Sequence, residues 1–116
     1  MFEKKIRLEK NFLDYVPVRK VEWERDEQGK VYLKKEKTRN KLMKKIIDLF
    51  NRSHFINLHL DQLGTSAWLL IDGKRKVREI SEMMKSEFSE DLQQLEERLG
   101  FFFVLLKKNN FIDLTQ

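Results

Sequence analysis

The chain has 116 residues, of which 37% are charged and 41% hydrophobic, with a net charge of +5 and no cysteine. That length fits one small domain and not two, the apolar content argues against disorder throughout, and the missing thiols exclude disulfides, cysteine nucleophiles and zinc–sulfur sites. The start, Met1-Phe2-Glu3-Lys4-Lys5-Ile6-Arg7, lacks the apolar run of a signal peptide. The longest apolar stretch, Phe101–Leu106, is far short of the roughly 20 residues that span a bilayer, so a soluble, cytoplasmic protein with no membrane contact is expected.

Charge is uneven. Residues 1–60 carry 16 Lys/Arg against 9 Asp/Glu, whereas residues 61–116 carry 8 against 10. A basic half is compatible with an acidic partner, and that possibility is weighed against the residues below.

Residues 1–17, ending at the only proline, read as an N-terminal arm, and residues 18–116 as the folded domain. From Val18 to Glu36 the hydrophobic period is two. Val21 and Trp23 alternate with Glu22 and Glu24, and Val31 and Leu33 with Lys30, Tyr32 and Lys34. Between them Asp26-Glu27-Gln28-Gly29 supplies a glycine able to take the left-handed conformation that closes a hairpin loop.

Residues 39–50 change to a helical period. Leu42, Met43, Ile46, Ile47, Leu49 and Phe50 lie on one side and Arg39, Lys41, Lys44 and Lys45 largely on the other. Such a basic amphipathic helix suits an anionic membrane or nucleic acid. The preferred expectation is that its apolar stripe docks on the domain and its lysines face water. The run His54–Leu60 then alternates again, with Ile56, Leu58 and Leu60 on one face, and predicts a third strand.

Three helices complete the chain. Asp61 caps the first, which carries Leu63, Ala67, Trp68, Leu70 and Ile71 and stops at Asp72-Gly73. The second spans about Val77 to Phe88, with Val77, Ile80, Met83, Met84 and Phe88 inward. Ser89 or Asp91 opens the third, whose stripe is Leu92, Leu95, Leu99, Phe102 and Leu106, and Phe111-Ile112 can add a closing strand.

Little here supports catalysis. His54 and His59, five apart, fall on opposite faces of a strand and cannot share a metal. Glu96 and Glu97 are helix neighbours that point apart, and the four glycines make no phosphate-cradling loop. An enzyme is therefore not expected, and no cofactor.

Strands followed by three helices also suggest a winged-helix nucleic-acid binder. A recognition helix needs cationic residues near its start. Residues 86–97 instead hold five carboxylates and no Lys or Arg, so nucleic acid is disfavoured unless the basic first half binds it.

The third helix is apolar over most of its circumference. Phe101, Phe103, Val104 and Leu105 add to a stripe that is already complete. Either the hairpin or the arm covers this surface, or Arg98, Phe101 and Leu105 line a groove for an external apolar segment. In a simple meander, strand 54–60 is at the sheet edge, and it lacks the proline and lysine that commonly block edge pairing. Such an edge beside an apolar helix can capture an extended peptide.

Leu60-Asp61-Gln62-Leu63-Gly64-Thr65-Ser66-Ala67-Trp68, followed by Leu70-Ile71-Asp72-Gly73-Lys74-Arg75-Lys76-Val77-Arg78-Glu79-Ile80, resembles the PqqD family. Phe88, the long third helix and Asn110-Phe111-Ile112 fit as well. The resemblance covers about residues 15–113 and rests on a pattern across two helices and their turn. It implies an α+β winged helix-turn-helix: a three-stranded antiparallel sheet followed by a three-helix bundle, here with an extra helix inserted before the third strand.

The resemblance further implies a non-catalytic peptide chaperone, or RiPP recognition element. Such a domain captures the leader of a ribosomally made precursor as an added strand and presents it to a modifying enzyme such as a radical SAM protein. On this chain the implied peptide-binding residues are Phe55, Ile56, Asn57 and Leu58 on the strand, with Arg98, Phe101 and Leu105 on the helix. A homodimer through the free edge or the arm stays open. The chain departs from the family pattern at Lys76, where a capping Ser or Thr is usual, a change worth about 1 kcal/mol, and at the inserted helix 39–50.

Overall fold

The computed structural model describes residues 12–36, 40–49 and 55–116. After a short 3-10 turn, Phe12–Asp14, come strands β1 (Val16–Arg19), β2 (Glu22–Arg25) and β3 (Val31–Glu36), helix α1 (Lys41–Leu49) and strand β4 (Phe55–His59). Helices α2 (Gln62–Leu70), α3 (Val77–Phe88) and α4 (Leu92–Lys108) follow, then strand β5 (Ile112–Thr115). The fold is α+β with small antiparallel sheets. One sheet has the order β2-β3-β4, and β1 pairs separately with β5.

The predicted hairpin forms as β2–β3. Asp26 and Lys30 close its loop through Asp26 N–H donating to Lys30 O at 2.8 Å, and Gly29 takes φ +84°. The start of the period-two run forms a separate structure. Val16–Arg19 joins β5, with Pro17 opposite Leu114, and the chain changes sheets at Lys20 and Val21. A two-stranded ribbon accommodates proline because its outer edge needs no ladder donor. Residues 12–17 of the predicted arm are tied to the helices. Phe12 and Pro17 are buried, Tyr15 O accepts from Val77 N–H at 2.9 Å, and Arg78 pairs with Asp14 at 3.0 Å. Residues 1–11 lie outside the described residues.

Capping sets the helix boundaries. Asp61 accepts from Gly64 N–H at 2.8 Å, and Asp72 accepts from Lys74 and Arg75 N–H beside Gly73 at φ +79°. Lys76 offers no side-chain acceptor, but its own N–H donates to Glu79 at 2.8 Å, which keeps half of a capping box. Asp91 caps α4. Ser89, the alternative start, instead ends α3 in the left-handed region at φ 49°.

The core comprises Val31 and Leu33 from the sheet, Ala67 and Trp68, Val77, Ile80 and Met84, Leu95, Leu99, Phe103 and Leu106, and Ile112. Thr65 Oγ1 accepts from Val31 N–H at 3.0 Å and fixes α2 to the hairpin. The Arg19 guanidinium lies 4.9 Å from the Trp23 ring and 5.4 Å from the Trp68 ring and donates to Trp68 O at 2.6 Å. Burial lowers its pKa, an effect partly offset by Asp72.

Two expectations change. Met83, expected inward, is half exposed, because it sits at the margin of an α3 stripe centred on Val77, Ile80, Ser81 and Met84. Of the additional apolar residues of α4, Phe103 is fully buried, in a helix that packs on α3, β5 and the 3-10 turn of the expected arm, so the chain itself covers that part of the surface. Helix α1 does not dock its stripe. None of its residues is buried, and Leu42, Met43, Ile46 and Leu49 are exposed.

Candidate functional site

β4 is the last strand of its sheet, and among the described residues nothing pairs with its far side. Its register with β3 sets Leu33 opposite Leu58, Lys35 opposite Ile56 and Lys34 opposite Asn57. Leu33 is in the core, so Leu58 and Ile56 face the helical side of the sheet. They are nevertheless 39% and 51% exposed, because the helices cover β3 more fully than β4. Asn57 and His59 face the other side, where the His59 ring lies 5.1 Å from that of Tyr32. His54 lies outside the described residues, as does the side chain of Phe55.

The edge ladder has a definite phase. Leu60 N–H donates to Val31 O at 2.9 Å, which makes Val31 and Leu60 a hydrogen-bonded pair. Such pairs alternate with non-bonded ones in an antiparallel ladder. Leu58 and Ile56 therefore direct their backbone groups at β3. Phe55, Asn57 and His59 direct theirs at the open edge.

Two contacts fix helix α4 relative to this sheet. A Cβ built on Gly64 would lie 3.1 Å from Phe102 Cε1 and 3.2 Å from Leu60 Cβ, so α4 and the end of β4 meet there across a residue that has no side chain. Farther along, Lys35, the partner of Ile56, donates to Asn109 O at 2.6 Å and lies over the Phe111 ring at 5.2 Å. Residues 102–109 cover about 10 Å of helix and residues 56–60 about 13 Å of strand. The last turns of α4 thus lie on the helical side of the β3–β4 part of the sheet.

On those turns Phe101 and Leu105, one helical turn apart, are 50% and 49% exposed. Arg98 shares their face and pairs with Glu90 at 2.6 Å. Phe102, half-buried, connects this face to the core. The surface therefore combines an open ladder, two exposed aliphatic strand residues and an exposed Phe–Leu pair on the neighbouring helix.

Elsewhere the chemistry is quieter. On the outer face of the β2–β3 hairpin, Glu24 accepts from Lys34 and, at 2.9 Å, from Tyr32. These bonds lower the Glu24 pKa and raise those of Lys34 and Tyr32. A cavity of about 370 Å³ between the two sheets is lined by Lys20, Lys34 and Lys35, all engaged by partners, and by Glu22 and Glu36. Among the described residues no three His, Asp or Glu side chains converge as metal ligands, and no helix is long and apolar enough to cross a membrane.

The arrangement defines a small α+β domain with an open sheet edge at β4 and an exposed Phe–Leu pair on α4. The chain belongs to the PqqD family: the family described as coenzyme PQQ synthesis protein D (PqqD) matches residues 52–112, just over half of its length. The matched segment contains β4, α2, α3 and α4, and begins after α1. No curated protein and no solved structure matches the chain.

Proposed function

We propose that this protein is a non-catalytic peptide-binding adaptor in the biosynthesis of a ribosomally made, modified peptide, with pyrroloquinoline quinone as one such product. It takes the leader of the precursor as an extra strand on β4 and holds the rest for a modifying enzyme such as a radical SAM protein. In this reading α2, α3 and α4 are the helices of a winged helix-turn-helix, and the β2–β3 hairpin is its wing. Backbone groups of Phe55, Asn57 and His59 pair with the guest. Ile56, Leu58, Phe101 and Leu105 receive its alternate apolar side chains, and Arg98 offers a charge at the rim.

The observation that supports this most is the pairing of an open ladder with large apolar side chains that the fold leaves in water. Strand addition satisfies both at once. Nucleic acid fits the same surface poorly, since Glu90, Asp91, Glu96 and Glu97 crowd the start of α4.

The test begins with a peptide selected by phage display on the wild-type protein and titrated calorimetrically. Phe101→Glu is expected to weaken it by about 30-fold or more, as for a central anchor residue, with an unchanged far-UV spectrum. Equal affinity for the variant would remove the proposed groove. Tight, steeply salt-dependent binding of random duplex DNA would favour the nucleic-acid reading instead.

A further inference from the structure

Among the described residues, helix α1 is the one large apolar surface that the peptide-binding reading does not use. It lies outside the residues matched to the family. Its two sides are sharply segregated: positions 42, 43, 46, 47 and 49 are apolar, and Lys41, Lys44, Lys45 and Asp48 fill the opposite arc. Leu42 and Leu49 are 65% and 81% exposed. The polar side holds the helix to the body through Lys44, which pairs with Glu36 at 2.9 Å. Lys41 and Lys45 remain exposed on that polar arc.

We propose that α1 is an interfacial anchor that lays its apolar stripe on an anionic lipid surface, with Lys41 and Lys45 engaging the headgroups. A short helix with strong segregation, low net hydrophobicity and lysines along its polar side has the composition of a helix that lies in a bilayer interface without crossing it. The charge is complementary to anionic headgroups, and the stripe is open to the acyl boundary, with none of its described residues buried and Leu42, Met43, Ile46 and Leu49 exposed. Nucleic acid would neutralise the lysines but leave Leu42, Ile46 and Leu49 in water. A second copy packed stripe to stripe would bury far less than the roughly 800 Å² per partner of a stable interface. The proposal does not depend on the peptide-binding reading, since α1 and the β4 edge are tested by different ligands.

The full-length protein is sedimented with phosphatidylcholine vesicles, with and without phosphatidylglycerol. Binding is expected only to the anionic vesicles and is expected to weaken as salt rises. The double variant Leu42→Ser/Leu49→Ser leaves the charge unchanged and is expected to lose about ten-fold or more in partitioning. Lys41→Gln/Lys45→Gln is expected to lose about 25-fold, at roughly five-fold per lysine. Neither variant should alter thermal unfolding, because α1 buries none of its residues. Failure of the wild type to bind anionic vesicles, or undiminished binding by the serine variant, overturns the proposal. So does a dimer in sedimentation velocity that the serine variant abolishes, or duplex-DNA binding that depends on the lysines and not on the leucines.

Discussion

Three consecutive phenylalanines on α4 provide an internal control for the account. Phe101 is 50% exposed, Phe102 half-buried and Phe103 fully buried. They share a residue type and a helix, so truncation to alanine changes helix propensity equally, and only the surroundings differ. Phe103→Ala removes a ring enclosed by core residues and leaves a cavity, at a cost of about 3–5 kcal/mol. For a chain of this size about 1 kcal/mol corresponds to roughly 3–5 °C, so the melting temperature should fall by about 10–20 °C. Phe101→Ala uncovers no cavity and should stay within about 0.5 kcal/mol of wild type. Phe102→Ala should fall between them. Urea unfolding followed by tryptophan fluorescence gives the free energies, with Trp68 in the core as reporter. A Phe101→Ala loss above about 1.5 kcal/mol would refute the reasoning. It would mean that this ring is structural and that the exposed face is not held in reserve for a guest.

Four further outcomes follow from the same geometry. Arg19→Met removes the bond to Trp68 O and the contact with both indoles, and should cost about 1–2 kcal/mol with a changed near-UV spectrum from Trp23 and Trp68. Asp61→Ala deletes the α2 cap and should cost about 1 kcal/mol in chemical unfolding. The Asp72 carboxylate accepts from the Arg75 and Lys74 N–H groups, which hold its pKa below the usual carboxylate value. A depressed native pKa stabilises at neutral pH and is lost as pH falls through it, so the Tm gap between wild type and Asp72→Ala should close on acidification below about pH 4. Asn57→Pro removes an outward N–H while sparing the bonds of Ile56 and Leu58 to β3. It should reduce peptide affinity in a calorimetric titration by about ten-fold with little loss of stability.

Local chemistry was the part of the fold most legible in the sequence. Asp61, Asp72-Gly73 and Asp91 marked helix ends through side-chain caps, and Gly29 marked the hairpin, because each signal acts within four residues. The β1–β5 ribbon was hidden because Val16 and Thr115 pair across almost the whole chain, and no local period records such a partner. Hydrophobic period gave the face of a residue but not its cover. It set Ile56 and Leu58 on the inner face of β4, yet their exposure follows from where the helices stop. It made α1 amphipathic, yet no described residue of that stripe is buried, because the period records a face and not what packs on it. On α4 it could not separate Phe103 from Phe101, since burial depends on which elements pack against the helix, among them the 3-10 turn Phe12–Asp14 near the other end of the chain. Arg98, Phe101 and Leu105 were legible as one helix face. The ladder phase that turns Phe55, Asn57 and His59 outward needed the register.

Residue-resolved amide hydrogen exchange across β4, with and without the display-selected peptide, tests the central claim most directly. Ile56 and Leu58 should be protected in the free protein, while Phe55, Asn57 and His59 exchange freely and become protected when the peptide binds. A peptide that binds without slowing exchange at those three amides, or that slows all five alike, would contradict strand addition at this edge.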